Sequence, residues 1–323
     1  MASSQHNSTS AWHRGERELQ SRVGKRELME RVGERVLRTF LPEQHREFFA
    51  QLPFVVFGSV DVDGFPWASL LCGSPGFVRS PTATRLQVGA HPVDGDPLHA
   101  ALVPGAAVGM LGIEVPTRRR NRVNGRVASV AANGFEFAVE QSFGNCPRYI
   151  NARSLTPVSE SDVPVIGTQA SAAAVTTFTA FDEATRNLLA CADTFFVASV
   201  ASERGGIEGV DVSHRGGHPG FFRVEGHTLT IPDYAGNAFF NTLGNFLVNP
   251  KAGLLFVDFE RGDLIAVTGS VELLWDEHCE VKTFAAAERA WRFTLKSGVR
   301  LSGAWPFRST ITEMSPDSPI IEQ

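Results

Sequence analysis

The chain has 323 residues, enough for about two domains at roughly 150 residues each, with 20% charged and 43% hydrophobic residues. That balance excludes a disordered, collagenous or disulfide-stapled chain. Thirty basic residues against 35 acidic ones leave a net charge of −5, which argues against a surface built for nucleic acid or anionic lipid.

Residues 1–10 are polar. From residue 14 to residue 40, Leu19, Val23, Leu28, Val32, Val36 and Phe40 recur at helical spacing on a charged background, and Pro42 ends the pattern; this predicts one amphipathic lead-in helix. The period then shortens. Two apolar runs at 54–60 and 66–71, joined by Asp61-Val-Asp-Gly64, predict a hairpin. Further strands are expected at 86–90, 108–115, 122–130 and 135–141, with a short helix at 96–102. Residues 156–177 are rich in Ser, Thr, Ala and Pro and are expected to be a linker. A second strand-rich block follows, with a strand at 228–231 and a helical run at 241–248. The abundance of Gly and Pro also disfavours an all-helical fold.

An internal repeat organises these elements. A shift of 144 places Gly76-Phe77 on Gly220-Phe221, Leu111 on Leu255, Val123 on Val267, Gly125 on Gly269 and Val127 on Val271. The run at 54–60 resembles that at 195–200 with a shorter offset. Two tandem copies of one β domain are expected: a tail and helix over 1–40, a first domain over 41–155, the linker, and a second domain over 178–323 with a C-terminal helical segment.

Three segments carry chemistry. In the second copy, residues 211–222 run from a strand into a glycine-rich turn displaying Ser213 and Arg215, and residues 232–237 lead into a helix. Free backbone donors, a helix N-terminus and an arginine suit an anion such as phosphate; alternatively, Gly and Pro only shape a hairpin and Asn237 caps the helix. In the first copy, five arginines lie within residues 117–126. Guanidinium forks suit phosphate or carboxylate, although such a run can also be a solvated turn. Residues 141–150 gather amides, a thiol, a phenol and a guanidinium in one turn. Cys146 there is either a nucleophile or a small buried hydrophobe.

Other classes lose support. Cys72, Cys146, Cys191 and Cys279 form no Cys-x-x-Cys pair, so reduced thiols are expected and no structural zinc. His214 and His218 sit in a glycine-rich turn, where their spacing does not put two imidazoles on one helix face, so no metal is expected. There is no G-x-S-x-G, Walker, H-E-x-x-H or G-x-G-x-x-G motif. The most apolar stretch, 101–115, is interrupted by Pro104 and is short of the ~20 residues that span a bilayer. A cytoplasmic protein is expected, with no membrane or nucleic-acid partner.

With these residues assembled, the chain resembles the pyridoxamine 5'-phosphate oxidase-like family of FMN-binding split β-barrels. The first copy does so through LPFVVFGSVDVDGFPWAS at 52–69, GSPGF at 73–77, LGIEVPTRRRNRVNG at 111–125 and QSFGNCPRYI at 141–150. The second does so through DVSHRGGHPG at 211–220, IPDYAGN at 231–237, NPKAGLLF at 249–256 and VTG at 267–269. The resemblance covers most of residues 45–275 and implies a mainly β fold, two tandem split barrels forming a pseudo-dimer, with FMN in a groove where they meet. It implies that Ser213, Arg215, Asn237 and Asn241 hold phosphate and ribityl oxygens, that Tyr234 and Gly236 shape the loop, and that Asn121, Arg122 and Asn124 lie near the cofactor. Gln141, Ser142, Asn145, Cys146 and Tyr149 would border the ring or its substrate side. Arg118 and Arg119 are candidate contacts for a nicotinamide nucleotide.

Two departures from the family pattern matter. Gly236-Asn-Ala238 replaces the Ser-Arg-Lys cluster of the vitamin B6 oxidases, so that substrate is not expected. His91 to Asp96 stands in the first copy where the second has its phosphate turn, so one flavin per chain is expected. The resemblance implies a flavin-dependent oxidoreductase that takes hydride from NAD(P)H or a small reductant and serves a small substrate or an electron-transfer partner, as a single-chain pseudo-dimer or a homodimer. The rival is a non-catalytic flavin or haem carrier or sensor; FAD and deazaflavin are the other cofactors such barrels hold.

Overall fold

In the computed structural model, residues 10–158, 174–202, 209–275 and 277–319 are described. The lead-in is two helices and not one: α1 (Arg14–Arg22) and α2 (Arg26–Val36). The apolar pattern runs through the junction, but Gly24 adopts φ +69° there, a left-handed turn that only glycine takes without strain. Pro42, expected only to end a helix, instead precedes a third, α3 (Glu43–Gln51), because a residue with fixed φ and no N–H is tolerated at a helix start.

The first copy then runs β1 (Phe54–Val60), β2 (Pro66–Cys72), β3 (Val78–Thr82), β4 (Arg85–Val88), α4 (Leu98–Ala101), β5 (Ala107–Glu114), β6 (Arg119–Ala131) and β7 (Gly134–Gly144). β8 (Ala152–Pro157), β9 (Val175–Phe178) and α5 (Glu183–Cys191) lead to the second copy. That copy comprises β10 (Thr194–Ala201), β11 (Gly209–Gly216), β12 (Arg223–Glu225), β13 (Thr228–Asp233), α6 (Asn241–Val248), β14 (Lys251–Val257), β15 (Leu264–Leu274) and β16 (Arg289–Leu301), and β17 (Phe307–Glu313) follows. The expected C-terminal helical segment is thus corrected to strands: β16 carries β-branched and aromatic residues in alternation, and β17 pairs with β8. The expected linker is flanked by β8 and β9, and its residues 159–173 lie outside the described residues.

The protein is mainly β, and the two copies share one strand order. The sheets run β2-β1-β5-β6-β7-β4-β3 and β11-β10-β14-β15-β16-β13-β12, the same order over seven strands, and the second carries β9 as an eighth strand on β16. Met110 faces Val123 as Leu254 faces Val267, and Val108 faces Gly125 as Ala252 faces Gly269, so the 144-residue shift is the structural one. Val56 opposes Leu111 as Phe196 opposes Leu255, which is the shorter offset of the first strand.

Each sheet curls round its own interior, because residues from both ends of the strand order share one core. Leu71, Val78, Leu86 and Val123 meet in the first barrel, and Phe195, Phe222, Leu229 and Val267 in the second. A third core lies between the barrels and joins Val56 and Leu111 to Phe196 and Leu255. β1 is therefore buried on both faces, with Val55 and Phe57 inward and Phe54 and Val56 toward the other barrel, which explains its unbroken apolar run. Backbones touch at two equivalent points: a Cβ on Gly109 would lie 2.4 Å from the Val210 carbonyl, and one on Gly253 would lie 2.4 Å from that of Pro66. Among the described residues no helix is long and apolar enough to cross a membrane.

Candidate functional site

One polar cleft of about 290 Å³ opens between the copies. From the second copy come Ser213, His214 and Arg215 on β11, the turn Tyr234 to Ala238 after β13, and Asn241 and Thr242 at the start of α6; from the first come Arg120 and Arg122 on β6 and Asn145, Cys146 and Tyr149 after β7. Val23 and Lys25, between α1 and α2, complete the wall with Asp233, Glu288 and Arg289. Five cationic side chains thus face two carboxylates in a chain whose net charge is −5.

Arg122 is the hub. Its Nη2 donates to Ser213 Oγ at 2.6 Å, its Nη1 donates to Asn241 Oδ1 at 3.1 Å, and Asp211 Oδ1 lies 3.5 Å away. Ser213 Oγ also meets Thr242 Oγ1 at 2.9 Å. Arg215 pairs with Asp233 at 2.7 Å, and Asp233 is shared with Arg289 at 3.4 Å. Arg120 donates to the Cys146 carbonyl at 2.8 Å and sits 3.4 Å from His214 Nδ1. Burial pulls Arg120 down to about 10 and lowers Arg122; both stay charged at neutral pH. Burial, then Arg120 and Arg215, holds His214 well below the ordinary histidine range, so its imidazole is neutral.

The chain's two tyrosines face each other at this cleft, with ring centroids 5.4 Å apart, and Tyr149 Oη donates to the Ala235 carbonyl at 2.7 Å. Burial raises Tyr149 and pushes Tyr234 up to about 12, so both phenols keep their protons. Of five non-glycine residues with positive φ among the described residues, Tyr149, Ala238 and Phe240 all line the cleft. Backbone strain of this kind persists where the surroundings over-determine it, and it gathers at ligand sites.

The wall also holds donors without acceptors. Arg122 Nε, Arg215 Nε and Asn145 Nδ2 are buried and have no hydrogen-bond partner, and each such group costs about 1–3 kcal/mol. An anionic, oxygen-rich ligand would balance the excess of cations that line this wall. Residues and ligand chemistry therefore fit for a phosphorylated cofactor.

The pseudo-symmetric groove is closed. By strand register Ser213 corresponds to Ser69, His214 to Leu70 and Arg215 to Leu71, while Arg120 and Arg122 correspond to Leu264 and Ala266. Leu70, Leu264 and Ala266 are buried together with Trp305 and Phe307. Ser69 donates instead to the chain's own Asp96 at 2.5 Å, which also accepts from the Leu98 N–H at 2.8 Å. The departure at residues 91–96 thus marks a groove filled by side chains and an internal carboxylate.

The sequence reading placed Ser213, Arg215, Tyr234, Gly236, Asn237, Asn241, Arg122, Asn145, Cys146 and Tyr149 at the site, and all line this one cleft. Asn237 does not cap α6: its Oδ1 accepts from the Phe239 N–H, and the cap position is Phe240. Six candidates lie elsewhere. Asn121 points to the opposite face of β6 from Arg120 and Arg122, as strand alternation requires. Asn124 and Gln141 are spent on each other, the Asn124 Nδ2 donating to Gln141 Oε1 at 3.0 Å and to Asp211 Oδ1 at 2.7 Å. Ser142 donates to the Phe40 carbonyl at 2.6 Å. Arg118 holds the Ile150 carbonyl and Glu313, and Arg119 holds the Gln44 carbonyl and lies over Phe48. Arg120, His214, Asp233 and Arg289 were missed. Alternation from Arg122 would have found Arg120; Arg289 carries no local signal.

No family model matches the chain, and no curated protein does. Solved structures match it in part. A putative pyridoxamine 5'-phosphate oxidase from Lactobacillus delbrueckii is 18% identical and aligns over 33% of this chain and 95% of its own, with a TM-score of 0.27. An FMN-binding protein from Syntrophomonas wolfei is 16% identical over 36% of this chain and 83% of its own, with a TM-score of 0.26. The haem storage protein HutZ of Vibrio cholerae is 11% identical over 34% of this chain and 87% of its own, with a TM-score of 0.26.

Proposed function

We propose that this cleft binds one FMN per chain and that the protein is a flavin-dependent oxidoreductase. The observation that carries the reading is the excess of cations, with Lys25, Arg120, Arg122, Arg215 and Arg289 beside the hydroxyls of Ser213 and Thr242, in one cleft. Arg122, Arg215, Ser213 and Thr242 would hold the phosphate, Asn237 would meet the ribityl hydroxyls, and Asn241 would steady Arg122. Bound FMN would supply hydride and electron transfer. The chain's part is to bind and orient: the protonated Tyr149 and Tyr234 line the cleft as a pair, and the neutral His214 beside Arg120 offers a hydrogen-bonding group next to a fixed positive charge. Because both walls come from one chain, a monomer is sufficient. A haem macrocycle needs apolar walls, and these are charged.

The absorption spectrum of the purified chain, with and without NADPH, tests the reading. Flavin bands that bleach with NADPH are expected. A Soret band, or a colourless protein that leaves the fluorescence of added FMN unchanged, would overturn it, and flavin bands indifferent to every reductant would leave a carrier.

A further inference from the structure

Glu16 is a buried acid whose position the barrels alone do not require. It is the third residue of α1 and closes a capping box, its Oε2 accepting from the His13 backbone N–H at 2.9 Å while the Gly15 N–H donates to His13 Nδ1 at 3.1 Å. A capping box needs no burial. Yet Glu16 is only 5% exposed, and its Oε1 accepts from Asn241 Nδ2 at 2.6 Å. An amide has two ends. With Nδ2 engaged by Glu16, Asn241 Oδ1 must face the other way, where Arg122 Nη1 donates to it at 3.1 Å.

The helix is fixed in place by close contact. A Cβ on Gly15 would lie 2.1 Å from the Gly244 carbonyl of α6, and Gln20 Nε2 donates to the Phe239 carbonyl at 3.3 Å. The turn that follows puts Val23 and Lys25 in the cleft wall.

We propose that α1 is a working part of the cleft: Glu16, acting through Asn241, holds Arg122 where an anionic ligand meets it, so ligand binding and docking of α1 stabilise each other. The ligand in this statement rests on the FMN reading; the geometry does not. Glu16 is a positioning residue.

Its surroundings give the inference a pH signature. Facing Glu16 are Asp211 from β11, Arg122 from β6, Asn241 from α6 and the His13 ring 3.6 Å away. Burial first, then Asp211, pushes Glu16 up to about 8, against the hydrogen bonds from Asn241 and His13 and the charge of Arg122. The side chain is therefore neutral at pH 7. Ionising it places a negative charge behind Arg122, and a bound anion raises its pKa further. Affinity for an anion is level below pH 8 and falls above it, by up to about tenfold for a one-unit rise on binding.

The experiment titrates FMN into the full chain and into Glu16→Gln between pH 6.5 and 9.5, and follows amide hydrogen exchange of residues 10–37 with and without FMN. Glu16→Gln keeps an acceptor for Asn241 and removes the proton. We expect wild-type affinity to drop several-fold above pH 8 and the variant's to stay flat, with FMN slowing exchange in α1. An equal pH profile in both, or exchange in α1 indifferent to bound FMN, overturns the inference. If wild type binds no FMN at any pH, the cofactor reading alone fails. The inference is then decided by α1 protection without ligand, which should weaken from pH 5 to pH 8 in wild type and not in Glu16→Gln; no difference between the two sinks it.

Discussion

Arg215→Ala is the most direct test of the cleft as an anion site. The side chain is 22% exposed and pairs with Asp233, which keeps Arg289 at 3.4 Å after the truncation. Asp233 is thus not stranded, and the loss of fold stability should be small. Arg215 lines the cleft beside Arg120 and Arg122, so the variant deletes one of the cations that a bound anion would meet. A charge-assisted hydrogen bond contributes about 1.5–3 kcal/mol, which is roughly a 10- to 150-fold rise in Kd for FMN. Quenching of flavin fluorescence measures it. The difference should shrink as salt is raised, since a partly exposed charge is screened. A Kd within twofold of wild type, with the melting temperature unchanged, would refute the reasoning and remove Arg215 from the site.

Stoichiometry is the next test: one FMN per chain by equilibrium titration, because Leu70, Leu264 and Ala266 fill the equivalent groove; two equal sites would contradict that filling. Asp96 is raised from 3.8 to about 6, chiefly by burial. A raised carboxyl contributes its full stability below 3.8 and loses it as pH climbs through 6, so Asp96→Asn, which keeps an acceptor for Ser69, should be the more stable protein at pH 7.5 by up to about 3 kcal/mol. Urea unfolding at pH 4 and 7.5 checks this, and an advantage of equal size at both values would contradict it. Leu264→Ala in the closed groove should lower unfolding stability by about 2–5 kcal/mol and leave the FMN Kd alone; a weakened Kd would mean that the grooves are coupled.

Much of the fold is legible because both copies bury the same positions. Leu111 and Leu255, or Val123 and Val267, hold matching places in the sheets, so selection for packing keeps them similar enough to align. The break at Gly24 was not legible, since an amphipathic pattern continues smoothly through a turn that only the backbone of one glycine reveals. At the site, residues within short glycine-rich or arginine-rich segments could be found. On β6 only every second side chain reaches the cleft, which turns Arg119 away from it, while Arg118 precedes the strand at φ +58° and is held by the Ile150 carbonyl and Glu313. Arg289 reaches it, and Glu16 supports it through Asn241, from distant segments whose local sequence advertises a strand and a cap, and no pattern within one segment reports a meeting across the fold.

The unequal grooves follow from carrying both barrels in one chain. In a symmetric dimer of single barrels, every substitution appears at both equivalent grooves, so neither can specialise without the other. Here the Ser69 groove has taken Leu70, Leu264 and Ala266. Full burial of a leucine side chain is worth about 1.5–3 kcal/mol, so that groove holds the halves together. The Ser213 groove keeps Arg120, Arg122 and Arg215, whose buried charges cost stability that apolar side chains would not. A fold only marginally stable overall tolerates that cost because the stabilising contacts sit in the twin. The same reasoning explains why α1 packs on α6 and not on its counterpart α4: Glu16 has a partner in the Asn241 amide, whereas the equivalent position is Pro97, which has no side-chain donor.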